Sequence, residues 1–414
     1  MADPLTVLVA ARDEEGTIAA TVAALRRAFP EAEVLVADDG SRDGTAAAAE
    51  AAGARVVRLP RLGKGQALAL AEQQAPPGPL LLCDADLGGD LAGLPGTGAD
   101  LAVAVFAERQ GGGFGLAKRA GRALIKARSG FEAREPLSGQ RALSPAARAA
   151  CFPTAPGFGC EVRSTIDAVR AGLRVEEVEL PLRHRATGRD LPGFAHRARQ
   201  LLDAALACGP LGRNYRGLRL PLVGVLVAVG AVRAPRRIGV TVAGIAALGL
   251  VDDLFSGPER GFRAHLGAGG TTGTLKAVGI PILALAATGS IPEATLVALS
   301  ANSLNLLDTR PGRALKAFLA GAVLVRGPAK AYLPIAVLLA PYDLREMTML
   351  GDAGANALGA LLGLNSVDRL TDRGRWIAIG ALAGLTLLGE RTSLGALIER
   401  TPGLAQVDRL GRRA

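Results

Sequence analysis

Two carboxylates one residue apart, Asp84 and Asp86, close the apolar run PLLLCDADL at residues 79–87. Side chains i and i+2 of an extended segment point the same way, so both can face one site. Two hard oxygen donors suit Mg²⁺ or Mn²⁺ held jointly with substrate phosphates. An acidic surface turn is the plainer reading of the pair taken alone. Upstream, a second apolar run ends in Asp38-Asp39-Gly40-Ser41. A carboxylate there can accept a ring N–H from a base, and the glycine lets backbone approach a ligand. The same Asp and Ser also suit an ordinary helix start. Lys64 stands between two glycines ahead of a helix, where an ammonium can meet a phosphate or lie solvated. Arg183, His184, Arg185 and Arg189 share one loop. A histidine among arginines suits a diphosphate leaving group.

The second half carries its own polar set. Asp252-Asp253 follows one apolar block, and Asp352 precedes another. Asn302, Asn305 and Asp308 end a third at spacings that put them on one helix face. Carboxylates in or beside membrane segments are costly and mark functional positions.

The elements around these residues divide the chain in two. Strands are expected at 5–11, 33–37, 54–59, before Asp84 and over Val175–Leu180, with helices between them. That alternation argues for a doubly wound, mostly parallel α/β sheet. In such sheets ligands bind outside the carboxyl ends of the strands, where Asp39 and Asp84 fall. Residues 191–207 read as an amphipathic helix, interfacial or packed on the sheet, with Arg197 and Arg199 on its polar side.

After Gly209-Pro210, charge-poor blocks run at 220–232, 238–251, 277–292, 294–307, 317–325, 331–340, 353–367 and 376–389. Several are shorter than the ~20 residues of a spanning helix. Eight in succession, with few polar faces, still argue for an all-α polytopic membrane domain over 211–414, behind an α/β domain over 1–210. Starting from a cytosolic first half, single crossings would put all three polar clusters on the cytosolic side.

Of the 414 residues 49% are hydrophobic and 3% aromatic, and the net charge is +10. With no nucleic-acid motif, that excess suits membrane phosphates or anionic nucleotides rather than DNA. The cysteines, Cys83, Cys151, Cys160 and Cys208, have no C-x-x-C spacing and fit a reducing compartment. The N-terminal stretch reads as a first strand, not a signal peptide.

VLVAARDEEGTI, VLVADDGSRDGT, GKGQALALA and LLLCDADL, in this order, resemble a family 2 glycosyltransferase of the GT-A (Rossmann-like) fold. The resemblance implies a nucleotide-sugar donor, usually UDP- or GDP-linked. It places Glu14 and Asp39 at the nucleoside, and Asp84 and Asp86 at the diphosphate and metal. The family's usual proline and asparagine before the glutamate are absent, since Ala11, Arg12 and Asp13 stand there. EPLSGQRALS at 135–144 resembles the acceptor-side segment, and GFGCEV at 157–162 the segment with a helix-borne acid, Glu161. Glu161 is then the candidate general base. If the acceptor is a phosphate no base is needed, and Glu161 serves position or simply favours the helix dipole.

GLVDDL, NSLNLLD and MLGDAGANALGALLG resemble the polyprenyl-phosphate N-acetylhexosamine-1-phosphate transferases. Asn214-Tyr215-Arg216-Gly217 and Thr274-Leu275-Lys276 fit weaker segments. This resemblance implies Mg²⁺ at Asp352, the lipid phosphate or its proton at Asp252 and Asp253, and the donor at Asn302, Asn305 and Asp308. The family's second aspartate falls at Pro311, and no histidine follows His265.

Together these readings describe a membrane-bound, cytosol-facing glycosyltransferase that acts on a polyprenyl-phosphate carrier in cell-envelope glycan synthesis. The rivals are an active sugar-1-phosphate transferase in the second half, a lipid transporter, and a scaffold.

Overall fold

The structure, a computed structural model, describes residues 4–107, 115–182, 191–230, 234–255, 272–325 and 332–412. It divides into two compact units: residues up to Gly209 with Arg216–Arg219, and Pro210–Tyr215 with the chain from Leu220 onward.

The first unit is a layered α/β domain. Strands β1 (Thr6–Ala11), β2 (Glu33–Asp38), β3 (Arg55–Arg58), β4 (Leu80–Asp84), β5 (Leu101–Phe106), β6 (Arg141–Leu143) and β7 (Val175–Leu180) form one sheet in the order β3-β2-β1-β4-β6-β5-β7. All pairings are parallel except those of β6, which runs antiparallel to β4 and β5. The helices are α1 (Ile18–Ala28), α2 (Thr45–Ala51), α3 (Lys64–Glu72), α4 (Leu116–Ser129), α5 (Pro145–Cys151), α6 (Gly159–Arg170) and α7 (Leu191–Ala207).

Helices cover both faces of the sheet, which is why its strands read as unbroken apolar runs. Val7, Val9, Val34, Val36, Leu81 and Cys83 pack with Ile18, Val22 and Leu25 of α1. The alternate residues Leu8, Leu35, Leu80 and Leu82 pack with Ala67 and Leu68 of α3 on the other face. The expected strands are all present. Two further strands of this sheet are not among those expected: β5, in the equally apolar run LAVAVF, and the three-residue β6.

Register sets the site. Ala11 lies opposite Asp38, and Ala10 opposite Asp84. The loops after β1, β2 and β4 therefore leave one edge side by side. Because β1 sits between β2 and β4, that edge is the point where the strand order reverses, the usual ligand crevice of such sheets.

The second unit is built mainly of helices: α8 (Val225–Gly230), α9 (Arg236–Phe255), α10 (Thr272–Thr288), α11 (Ile291–Leu307), α12 (Arg313–Val325), α13 (Leu333–Asp343), α14 (Gly351–Val367), α15 (Asp372–Arg391), α16 (Leu394–Arg400) and α17 (Pro402–Arg409). Each charge-poor block overlaps at least one of these helices. α14 is buried along nearly its whole length. Small residues let neighbouring backbones close on it: a Cβ on Gly249 of α9 would stand 2.6 Å from the Ala353 nitrogen, and one on Gly363 would stand 2.6 Å from Val297 Cα of α11.

The expectation of eight spans meets a length limit. Among the described residues only Arg236–Phe255 is by itself long and apolar enough to cross a membrane. Asp372–Arg391 with Leu394–Arg400 passes together but bends by 98°. The 17 residues of α10 rise only about 25 Å, against ~30 Å of hydrocarbon. The outer surface is nonetheless apolar, with Val278, Ile282, Val323, Leu324, Leu338, Trp376 and Ile377 all exposed.

Candidate active site

The loops after β1 and β2 are laced together. The Asp13 N–H donates to Ser41 Oγ at 3.0 Å, and the Arg42 N–H returns to Asp13 Oδ1 at 2.9 Å. The Glu14 N–H donates to Thr45 Oγ1 at 2.8 Å, and the Gly44 N–H to Glu15 Oε2 at 3.1 Å. Asp13 takes a positive φ of 53°, which Asp tolerates better than most residues. Asp39 is buried, and its Oδ1 accepts the N–H groups of Leu62 and Gly63 at 2.6 and 2.9 Å. It thereby fixes the turn that presents Lys64 at the head of α3. Glu14 Oε2 accepts the Thr17 hydroxyl at 2.8 Å.

Asp84 is the last residue of β4, and the chain turns before Asp86. The expected extended i, i+2 geometry stops one residue short, because Thr21 Oγ1 of α1 takes the Ala85 carbonyl at 2.8 Å and holds the turn. Both carboxylates still line one cleft of about 1010 Å³, with Glu14, Asp39, Lys64 and Glu161. Asp84 is partly covered and Asp86 is exposed.

A charge cluster forms the cleft floor. Lys64 Nζ lies 2.6 Å from Asp84 Oδ1 and 2.7 Å from Glu161 Oε1. Gln140 Nε2 donates to Asp84 Oδ2 at 3.2 Å. Burial pulls the lysine pKa down, but the two carboxylates outweigh it and hold the ammonium well above the usual lysine value. Glu161, in the first turn of α6, has only 5% of its side chain exposed. The candidate general base is therefore a buried partner of Lys64. Burial pushes the neighbouring Cys160 thiol well above its usual value, so it stays protonated.

Gly139 has no room for a side chain, since a Cβ there would stand 2.7 Å from Lys64 Nζ and crowd Asp84. Gly139→Ala is expected to displace that pair, cutting turnover about tenfold and lowering the melting temperature by several degrees. Paired activity and thermal-unfolding assays check it.

The cleft recruits residues that the motifs do not single out. Arg12, Lys118, Gln140, Arg197, Arg199 and Gln200 line it. The polar side of α7 thus faces the cleft, and Leu201 and Leu202 beside it are exposed. Arg141 is buried at 1% exposure. It donates to the Ser138 carbonyl at 2.7 Å and to Thr165 Oγ1 at 2.9 Å, which sets the 138–140 loop against α6. His184 and Arg189 lie outside the described residues.

Residues 6–87 match the family described as Glycosyl transferase family 2. The first unit carries a family 2 glycosyltransferase domain. Its layering and mostly parallel sheet fit the GT-A fold. The chain is similar to the glycosyltransferase AglJ of Haloferax volcanii, at 30% identity over 203 residues, 45% of this chain and 66% of that relative. Among solved structures it is similar to glucosyl-3-phosphoglycerate synthase from Mycobacterium tuberculosis. The form with Mn²⁺, uridine diphosphate and phosphoglyceric acid is 27% identical at a TM-score of 0.42, covering 50% of this chain and 78% of that one. The form with Mg²⁺ and uridine diphosphate is 26% identical at a TM-score of 0.41, covering 50% and 79%.

The transferase domain's donor set fits a divalent cation shared with a ligand. Asp84 and Asp86 offer hard oxygens at one cleft, and phosphate oxygens and water complete such a shell. Among the described residues no three His, Cys, Asp or Glu groups are placed to hold an ion unaided.

The second unit gathers part of its expected polar set. Lys276 of α10 meets Asp252 of α9 at 2.7 Å and also pairs with Asp352 of α14. Asp253 caps α14, accepting the N–H groups of Asp352 and Ala353 at 2.9 and 3.0 Å. Asp308 follows the last turn of α11, its N–H bonded to the Asn305 carbonyl at 3.0 Å. Asn302 is taken up elsewhere, donating to Thr386 Oγ1 of α15 at 3.0 Å. Lys276 was visible in sequence only as a weak motif fit.

Proposed function

We propose that the first unit transfers a sugar from a nucleotide-sugar donor, a UDP-sugar, to the phosphate of a polyprenyl carrier at a membrane. The observation that carries this reading is the cleft itself. The exposed Asp86, the Lys64–Asp84 pair and the arginines of α7 meet at the crevice of a family 2 domain. A divalent cation bound there would neutralise the diphosphate as it leaves. Asp39 and Glu14 line the same cleft and are assigned to the nucleoside, and Arg12, Arg197 and Arg199 offer cations to phosphate oxygens. The acceptor oxygen attacks the anomeric carbon as the bond to the diphosphate oxygen breaks. A phosphate acceptor is already anionic, so no proton must be removed. That agrees with Glu161 being engaged by Lys64 rather than poised as a base.

The membrane reading is supported by the contrast between the units. Among the described residues, exposed large apolar side chains in the first unit are confined to Leu116, Leu201 and Leu202, whereas the second unit exposes them on most of its helices. With the first half in the cytosol, the second anchors it in the plasma membrane.

A second reading rests on the Lys276 cluster. Its three carboxylates and one ammonium could serve a sugar-1-phosphate transferase, with Mg²⁺ at Asp352.

Transfer of labelled sugar from a UDP-sugar to polyprenyl phosphate tests the main reading. EDTA is expected to stop it and added Mn²⁺ or Mg²⁺ to restore it. Full turnover in EDTA would remove the metal role of Asp86.

A further inference from the structure

We infer that the outer face of α4 docks on an anionic lipid bilayer and sets the cleft mouth at the membrane surface. The helix, LAKRAGRALIKARS, holds five cations and no carboxylate. Its inner face is apolar: Gly121 and Ile125 are buried, and Ile125 packs with Val162, Ile166 and Ala204 of α6 and α7. Arg119, Arg122, Lys126 and Arg128 are exposed. Local carboxylates cover this charge only in part. Lys118 pairs with Glu135, and Lys126 meets Glu132 at 2.6 Å. Arg122 donates to the Arg134 carbonyl, not to an acid.

Three features select a bilayer as the occupant. The exposed large leucines of this unit lie on α4 and on α7, which packs against it, with Leu116 at 64% exposure. An exposed leucine at the start of a helix that carries exposed cations along its length matches an anionic headgroup layer over hydrocarbon. The first turn of α4 also lines the cleft through Leu116, Ala117 and Lys118. A surface holding this helix would therefore meet the cleft directly.

The inference rests on a lipid-borne acceptor, but its test reads docking without turnover, so the two can fail separately. All four native cysteines are buried, which lets an environment-sensitive fluorophore be placed selectively on Ala123→Cys, an exposed position of the same helix. Ala20→Cys on α1, also exposed, is the control. Full-length protein is mixed with vesicles of phosphatidylglycerol and phosphatidylcholine, or of phosphatidylcholine alone. The Ala123 label is expected to shift to the blue only with phosphatidylglycerol, and to revert in high salt.

Arg119→Gln/Arg122→Gln/Lys126→Gln is expected to lower the docked-to-free ratio on the order of 100-fold. Arg119→Gln/Lys126→Gln, which keeps the Arg122 bond to the 134 carbonyl, lowers it on the order of 30-fold. No shift with phosphatidylglycerol, an equal shift with phosphatidylcholine alone, or an equal shift of the Ala20 label would overturn the inference.

Discussion

Asp86→Asn is expected to lower glycosyl transfer by on the order of 10²–10³ while the melting temperature stays within a degree or two. Asp86 is exposed in the turn after β4 and lines the cleft, so the fold gains little from its charge. The amide keeps its size but loses the hard anionic oxygen that a diphosphate-bound cation needs. Steady-state transfer assays beside thermal unfolding separate the two effects. Mn²⁺ affinity measured by calorimetry with the nucleoside diphosphate present should fall in parallel. Asp84→Asn is different, because it also releases Lys64 Nζ from its 2.6 Å contact, and it should cost both activity and stability.

The second large effect concerns Lys64. Lys64→Met leaves the carboxylates of Asp84 and Glu161 facing the space of the lost cation. Removing one partner of a buried ion pair costs about 3–5 kcal/mol, because the other charge stays uncompensated. Lys64→Met is therefore expected to destabilise the first unit by about that much. Glu161→Gln, which keeps an oxygen for the ammonium, should cost about 1–3 kcal/mol. Lys64→Met/Glu161→Gln should be more stable than Lys64→Met alone, with a coupling of about 0.5–3 kcal/mol. Urea unfolding followed through the first unit's transition measures this. Additive losses would mean that the pair does not interact in solution.

The fold of the first unit was largely legible because its strands are buried on both faces and so appear as apolar runs. The carboxylates at their ends follow from that, since a strand ending in Asp38 or Asp84 delivers it to the crevice. What was not legible depends on contacts far apart in sequence. Glu161 reads as a free base until the Lys64 ammonium, 97 residues away in sequence, is seen at 2.7 Å. Arg197 and Arg199 look like the wet side of an amphipathic helix, because periodicity shows which face is polar but not that the face lines a cleft. Asn302 shares a helical spacing with Asn305 and Asp308, yet Thr386 claims its amide. In the second unit, low charge foretold helices correctly. It did not foretell their lengths: among the described residues most of them are shorter than a bilayer's thickness.

The most direct test of the central claim is the nucleotide released when purified full-length protein meets a UDP-sugar, Mn²⁺ and polyprenyl phosphate. UDP is expected, lost in Asp86→Asn and retained in Asp352→Asn. UMP, retained in Asp86→Asn and lost in Asp352→Asn, would contradict it and place the chemistry at the Lys276 cluster of the second unit.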